Sequence, residues 1–422
     1  MIKQVLQSGT FGFLLMIPAF YGTAQVPMNP DSVTMNPGYT QEVYYQFSTG
    51  NRVSVFRNTW DIAFRTMKMS SSILINDGSN VVLWTYPLAD TSGWASLDTT
   101  GISSWNPMFN NPDDWENGAF SRAALGHPDY GWGIYNIATH MITGDSLFVI
   151  KLTDNTYKKL WIVKKDAPAN IYYFRYANID GSDPQELNLD CNPWTGKDFI
   201  GFNMQTNLPV DYQPSLESWD IFFTKYMSVQ PDGTPYPVTG VLSNPGIYVK
   251  KFYPVDPEFN EWWPAPWDST RSAIGWNWKY FDMTNFVYVV HDSMVFYVRD
   301  LTGDTYRLKF TDFAGAATGN IKFGKARVSS AGFLDPDQSE FTVSLYPNPA
   351  TETISVEINA SGKQNRSYMI SLMDMAGRLI RSGSLPAGQT VVSWNIHALT
   401  PGGYLLVVGS GNYHSTYHFL KR

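Results

Sequence analysis

The chain of 422 residues has little of what usually places a protein quickly. It holds one cysteine, Cys191, so no intramolecular disulfide, C-x-x-C redox pair or cysteine-rich metal site can form. No cysteine stands near the N-terminus, which excludes an acylated lipoprotein anchor. Charged residues make up only 16%, and the net charge of -7 comes with no dense block of lysine and arginine. A nucleic-acid binder needs such a block, so nucleic acid is not an expected partner. No apolar run reaches the roughly 20 residues that a membrane-spanning helix requires. There is also no G-x-S-x-G elbow, P-loop or H-E-x-x-H pair, and carboxylate neighbours such as Asp113/Asp114 are ordinary in loops. The expectation is a protein that is not an enzyme.

Aromatic residues are abundant at 15%, and 33 glycines and 26 prolines accompany them. That mixture favours short strands joined by turns, an all-β chain. No clear amphipathic helix longer than two turns is legible.

The two ends carry separate signals. Residues 1–24 read as a signal peptide: Lys3 supplies the positive region, Phe11 to Phe20 the apolar run, and Gly22 and Ala24 the small residues before a cut at Gln25. At the other end, Val343 and Leu345, then Ile354, Val356 and Ile358, alternate with polar residues as half-buried strands do. The prolines of Tyr346-Pro347-Asn348-Pro349 interrupt the first strand, and Gly377, Gly383, Gly388 and Gly402-Gly403 mark later turns. Together with Met373-Asp374-Met375-Ala376-Gly377, Pro401-Gly402-Gly403-Tyr404 and the terminal Lys421-Arg422, this stretch closely resembles a type A C-terminal sorting domain of the type IX secretion system. The resemblance covers 341–422 and implies a small β-sandwich. It further implies the type IX machinery as a partner, export through the periplasm by the Sec route, and a final place on the cell surface or in the medium. His414 and His418 fall on a strand, where four residues of spacing are too many to pinch one ion.

Between the ends the chain is written twice. Asn58–Met69 (NTWDIAFRTMKM) is answered by Glu217–Met227 (ESWDIFFTKYM), Gly144–Lys165 by His291–Phe313, and Ala169–Phe174 by Gly319–Phe323. Three pairs in one order at a long offset mean a duplicated domain rather than a solenoid repeat. Each copy holds a hairpin whose second strand, Tyr157–Lys164 or Tyr306–Phe310, alternates apolar and basic residues and is expected to have one solvated face. Trp219-Asp220-Ile221, Trp278-Lys279, Tyr306-Arg307-Leu308-Lys309 and Gly319–Phe323, with Trp60-Asp61-Ile62-Ala63-Phe64 and Tyr157-Lys158 in the first copy, resemble the HmuY family of exported haem-binding proteins. The resemblance implies two tandem β-domains, 25–190 and 191–333, with a linker at 334–340 before the sorting domain. Asn192, Pro193 and Gly196 mark the expected junction.

The same resemblance implies haem or another tetrapyrrole as ligand. Haem iron needs a His, Met or Cys ligand in a mostly apolar slot. His140 and His291 stand just before the matched hairpins and are the candidate axial ligands, with His127 and methionines such as Met108, Met141, Met204, Met227, Met283 and Met294 also present. A second reading rests on Trp105–Trp115 (WNPMFNNPDDW) and Glu261–Trp267 (EWWPAPW), where Trp stands beside Pro and amides in loops. Such loops either plug the ends of β-domains or bind glycans by stacking on sugar faces, as an adhesive surface protein would. Asn178–Glu186 (NIDGSDPQE) reads as an acidic turn lacking the full calcium-loop pattern. Cys191 reads as a small half-buried residue without a basic neighbour.

Overall fold

The computed structural model describes residues 27–230, 232–260, 262, 265–329, 341–360, 367–375, 377–410 and 413–422. The expected signal peptide and the 334–340 linker lie outside them. The chain is all-β. Its longest helical element among the described residues is the 3-10 turn Thr91–Ala95, and none is long and apolar enough to cross a membrane.

Three strands come first: β1 (Asn29–Thr34), β2 (Gln41–Tyr45) and β3 (Arg52–Phe56). The first WDI segment opens β4 (Ile62–Arg65), followed by β5 (Ile73–Ile75), β6 (Val82–Thr85), β7 (Gly133–Asn136) and β8 (Met141–Gly144). Next come β9 (Phe148–Lys151), β10 (Tyr157–Asp166) and β11 (Ile171–Asn178). The first copy ends with β12 (Gln185–Asp190), and the second starts with β13 (Phe199–Asn203) and β14 (Leu208–Val210). It continues through β15 (Ile221–Val229), β16 (Pro235–Ser243), β17 (Tyr248–Phe252), β18 (Lys279–Asp282) and β19 (Val287–Val290). It ends with β20 (Val295–Arg299), β21 (Thr305–Phe313) and β22 (Asn320–Ser329).

The pairing of these strands corrects the tandem expectation. β13 pairs with β4 on one side and β14 on the other, so the opening strands of the second copy complete a sheet of the first. Reciprocally, β1 pairs with β22 and β2 with β15, so the opening strands of the first copy complete the second. Two units result. Unit A is β4 to β14, and unit B is β1 to β3 joined to β15 to β22. A cut at 190/191 would therefore pass through unit A and leave unit B's first three strands on the wrong piece.

The cores follow the same division. In unit A, Ile62, Phe64, Phe148, Leu160, Phe174, Ile200 and Phe202 pack together. In unit B, Val33, Val43, Tyr45 and Phe47 join Phe223, Phe296, Leu308, Phe310 and Phe323. Trp115 packs on both the Tyr44–Trp219–Phe222 cluster and the Trp60–Phe199–Tyr212 cluster, bridging the units. They also meet backbone to backbone: a Cβ on Gly78 would stand 1.8 Å from the Lys225 carbonyl oxygen in β15.

The hairpins β9–β10 and β20–β21 form as the turns imply, but the expected solvated basic face is largely covered, with Lys164 and Lys309 half-buried. Lys158, Lys159, Lys165 and Arg307 are all buried. Loops fold over the sheets and supply carbonyl acceptors: Lys159 donates to Trp94 (3.0 Å), Lys165 to Met67 (2.9 Å) and Arg307 to Pro257 (2.5 Å). Such acceptors offset much of the cost of burying an ammonium or guanidinium, although Arg307 Nε keeps no hydrogen-bond partner among the described residues.

The C-terminal domain is the expected sandwich. β23 (Phe341–Tyr346), β24 (Thr353–Ala360) and β27 (Val391–Asn395) form one sheet, and β25 (Tyr368–Asp374), β26 (Leu379–Leu385), β28 (Gly402–Ser410) and β29 (Tyr413–Lys421) the other. Ile354, Val356, Ile370, Leu406 and Val408 fill the space between them.

Candidate functional site

The WDI motifs are structural. Asp61 Oδ2 accepts the Met204 amide at 2.7 Å, and Asp220 Oδ2 accepts the Phe47 amide at 2.7 Å. Each carboxylate thus holds the end of the strand that arrived from the other copy. Asn76 and Asn244 repeat the pattern, donating to the Trp60 carbonyl (2.9 Å) and the Trp219 carbonyl (2.7 Å). Burial pushes the Asp220 carboxyl up to about 6, and the Asp61 carboxyl is raised for the same reason.

His140 and His291 are not counterparts. β7–β8 pairs Asn136 with Met141, and β18–β19 pairs Asp282 with Val287. Asn136 Oδ1 accepts the Ala138 amide and Asp282 Oδ1 the Thr284 amide, so the two turns are built alike. The turn residue with positive φ is His140 in one and Phe286 in the other, both at 55°. From that turn to the shared Asp-Ser dipeptide the second copy is one residue longer, and His291 directly precedes the dipeptide where the first copy has Gly144. His140 is exposed, with Nδ1 2.6 Å from the Tyr135 hydroxyl, and His127 packs on the other side of Tyr135. His291 is half-buried between the rings of Tyr253 (4.9 Å) and Tyr280 (5.1 Å).

The tryptophan loops divide. Trp94, Trp105 and Trp161 cover the outer face of unit A around Leu147 and Val149, with the Arg175 guanidinium 4.4 Å from both Trp94 and Trp161. Trp262 and Trp267 cover Val295 and Tyr297 in unit B. These are plugs. Trp263 lies outside the described residues.

The segment between Trp105 and Trp115 does something else. Residues 107–113 form one wall of a cleft of about 700 Å³ between the units, with Arg122 beside them. The opposite wall is the β15–β16 end at residues 226–229 and Pro235, with Ser272 and residues 275–277. Phe109, Tyr226 and Trp276 give the cleft aromatic faces, while Asn111, Asp113, Ser228 and Asn277 give it polar groups.

Several interactions fix these walls. The Asp113 carbonyl accepts the Arg271 amide at 3.0 Å, and its carboxylate accepts the Ser272 hydroxyl. Arg271 is itself buried, its guanidinium 4.4 Å from the Trp115 ring. Asp77 accepts the Asn110 amide at 3.2 Å and also the Met227 amide, tying one wall to the other. Burial pushes the Asp77 carboxyl up to about 7.

The Tyr226 hydroxyl is buried on the cleft wall and has no hydrogen-bond partner among the described residues. Neither Tyr226 nor Arg122 stands out in the sequence, because both take their meaning from residues far away in the chain.

Cys191 is fully buried, not half-buried, and its thiol is pushed up to about 12 by desolvation even though Lys165 lies near enough to oppose the shift. In the acidic turn, Asp180 accepts the Ser182 amide and hydroxyl, and Asp183 accepts the Gln185 amide group.

In the C-terminal domain the separate motifs come together. Asn348 donates to the His418 carbonyl (3.1 Å) and accepts the Leu420 amide (3.0 Å), so one side chain imitates a strand edge against β29. The Ala350 amide donates to Leu420 and the Arg422 amide to Ala350, which locks Lys421-Arg422 beside the Tyr346–Pro349 turn. Gly377 and Gly402 adopt positive φ, at 80° and 155°, and Gly402-Gly403 open β28 against the Lys421 end.

These features define a cargo protein of a bacterial secretion pathway. Residues 344–422 match the family model of the Secretion system C-terminal sorting domain, and the chain is exported by type IX secretion to the cell surface or the medium. No curated protein matches the chain. Among solved structures, apo PinO from Porphyromonas gingivitis is similar at 10% identity and a TM-score of 0.28, over 72% of this chain and 99% of that one. Dimeric latent PorU from Porphyromonas gingivalis is similar at 12% identity and a TM-score of 0.17, over 81% of this chain and 34% of that one. Overlaps this loose carry neither a ligand nor an activity across.

Proposed function

We propose that the protein is a non-catalytic binding protein of the cell surface or medium, and that the cleft between its units takes a saccharide. The observation that carries this reading is the Tyr226 hydroxyl, buried on the cleft wall without a partner. An unmade hydrogen bond of this kind costs about 1–3 kcal/mol, and because the hydroxyl is closed off from solvent, a sugar hydroxyl removes that cost as the wall side chains shift to admit it. Phe109 and Trp276 offer faces for stacking on a sugar ring, and the surrounding amides and carboxylate suit hydroxyl groups. A glycan array followed by calorimetry tests it. Tyr226→Phe is expected to weaken saccharide binding about fivefold while leaving the free protein as stable as before or more so. Unchanged affinity in that variant sinks the reading.

Haem or another tetrapyrrole is the second reading, favoured by His291, which stands half-buried between two tyrosine rings. A nitrogen ligand beside aromatic surface is what haem iron requires. Haemin titration of the wild type and of the His140→Ala, His291→Ala double variant decides it. A Soret shift that the double variant loses supports haem; its absence in the wild type removes haem.

A further inference from the structure

The cleft is lined by one cation and one carboxylate, Arg122 and Asp113. Their situations differ. The Asp113 carboxylate accepts the Ser272 hydroxyl from the opposite wall and so helps close the cleft. Arg122 is exposed and makes no ion pair, side-chain hydrogen bond or ring contact among the described residues. In a chain of net charge -7, where most buried cations have found carbonyls or rings, an uncommitted guanidinium at a cleft is a group waiting for an anion.

Its root is fixed. The Arg122 amide donates to Ala119 at 3.3 Å, and Ala119 and Phe120 are fully buried. The Asn110 side chain holds this turn and the cleft wall together: its Oδ1 accepts both the Ala119 amide (3.2 Å) and the Ile75 amide (3.0 Å). The guanidinium therefore projects from backbone tied to the wall it serves, and only side-chain rotamers remain to be ordered on binding.

We infer that the ligand of the cleft is an acidic saccharide, whose carboxylate or sulfate group is taken by Arg122. This rests on the saccharide reading of the same cleft and names the class within it. A guanidinium presents paired donors that match the two oxygens of either anion, whereas a neutral sugar offers it only single acceptors.

The test is calorimetry on the mature full chain with oligogalacturonate and a heparin oligosaccharide as acidic probes, and cello- and laminari-oligosaccharides as neutral ones. The expected result is tighter binding of an acidic probe, weakening as salt rises. Arg122→Gln should cost about tenfold for that probe and flatten its salt dependence, and Arg122→Lys should recover only part of the loss. Which acidic probe responds separates carboxylate from sulfate. Binding of neutral probes alone, or acidic binding that Arg122→Gln leaves intact, overturns the inference while the saccharide reading stands. No binding by any of the four overturns both.

Discussion

Deleting residues 27–56 removes β1 to β3, which belong by sequence to the first copy and by pairing to unit B. Val33, Met35, Val43, Tyr45 and Phe47 leave the unit B core with them, each 4% exposed or less. At roughly 1.5–3 kcal/mol for each buried apolar side chain, the loss is on the order of 10 kcal/mol. The Asp220 carboxylate also loses the Phe47 amide that it accepts. A domain is stable by only about 5–15 kcal/mol, so unit B should not fold. Unit A keeps all its strands and should survive. Hydrogen exchange read by peptide mass reports this directly: amides in β4, β10 and β13 should stay protected while those in β15, β20 and β21 exchange freely. Adding a synthetic 27–56 peptide should restore protection in the second group. Full protection of β15, β20 and β21 in the deletion variant without the peptide would falsify the exchanged-strand arrangement.

Asp77 and Asn348 carry the other expectations. Because burial raises the folded Asp77 carboxyl above its unfolded value, the folded state holds that proton more tightly. The stability this contributes is full below about pH 4 and is lost as pH rises toward about 7, a change of up to about 4 kcal/mol. Asp77→Asn should abolish that part of the pH dependence of Tm, and an unchanged pH profile would show that Asp77 is not its source. Asn348→Ala should cost the sorting domain about 1 kcal/mol, since the Leu420 amide and the His418 carbonyl exchange this partner for water, and should reduce surface export. Export at the normal level with a lowered melting temperature would separate the fold of the motif from its recognition.

Strand periodicity and turn chemistry made much of this legible. The all-β class, the hairpins at Thr153–Asn155 and Thr302–Asp304, and the sandwich around Ile354 and Val356 follow from local alternation. Exchange of the opening strands does not, because the local pattern of a strand such as β2 or β13 names no partner. Burial of Lys159 and Arg307 was hidden for the same reason: the carbonyls that satisfy them come from Trp94 and Pro257, far away in sequence. His140 and His291 occupy different places in the repeat, since the register of β18–β19 sets Phe286 where β7–β8 has His140. Of the cleft, the wall at 107–113 stood out as a tryptophan-rich loop, but its partner wall could be found only in three dimensions.

Where the two copies agree, they build scaffold; where they diverge, they build the cleft. The WDI strands begin identically, with Trp packed inside, Asp holding an exchanged strand and Asn bonding the Trp carbonyl. Beyond that point β4–β5 stays short, while β15–β16 runs on to Val229 and Pro235 and becomes a cleft wall. The facing wall is likewise an insertion of the first copy, the 105–115 loop. Neither copy alone holds both walls, so the cleft belongs to the pair. Its shape is set by contacts made during folding: Asp77 to Asn110 and Met227, Asp113 to Arg271, and Gly78 against Lys225. A ligand entering it orders little backbone, so a few well-placed groups such as Tyr226 and Arg122 can decide what binds.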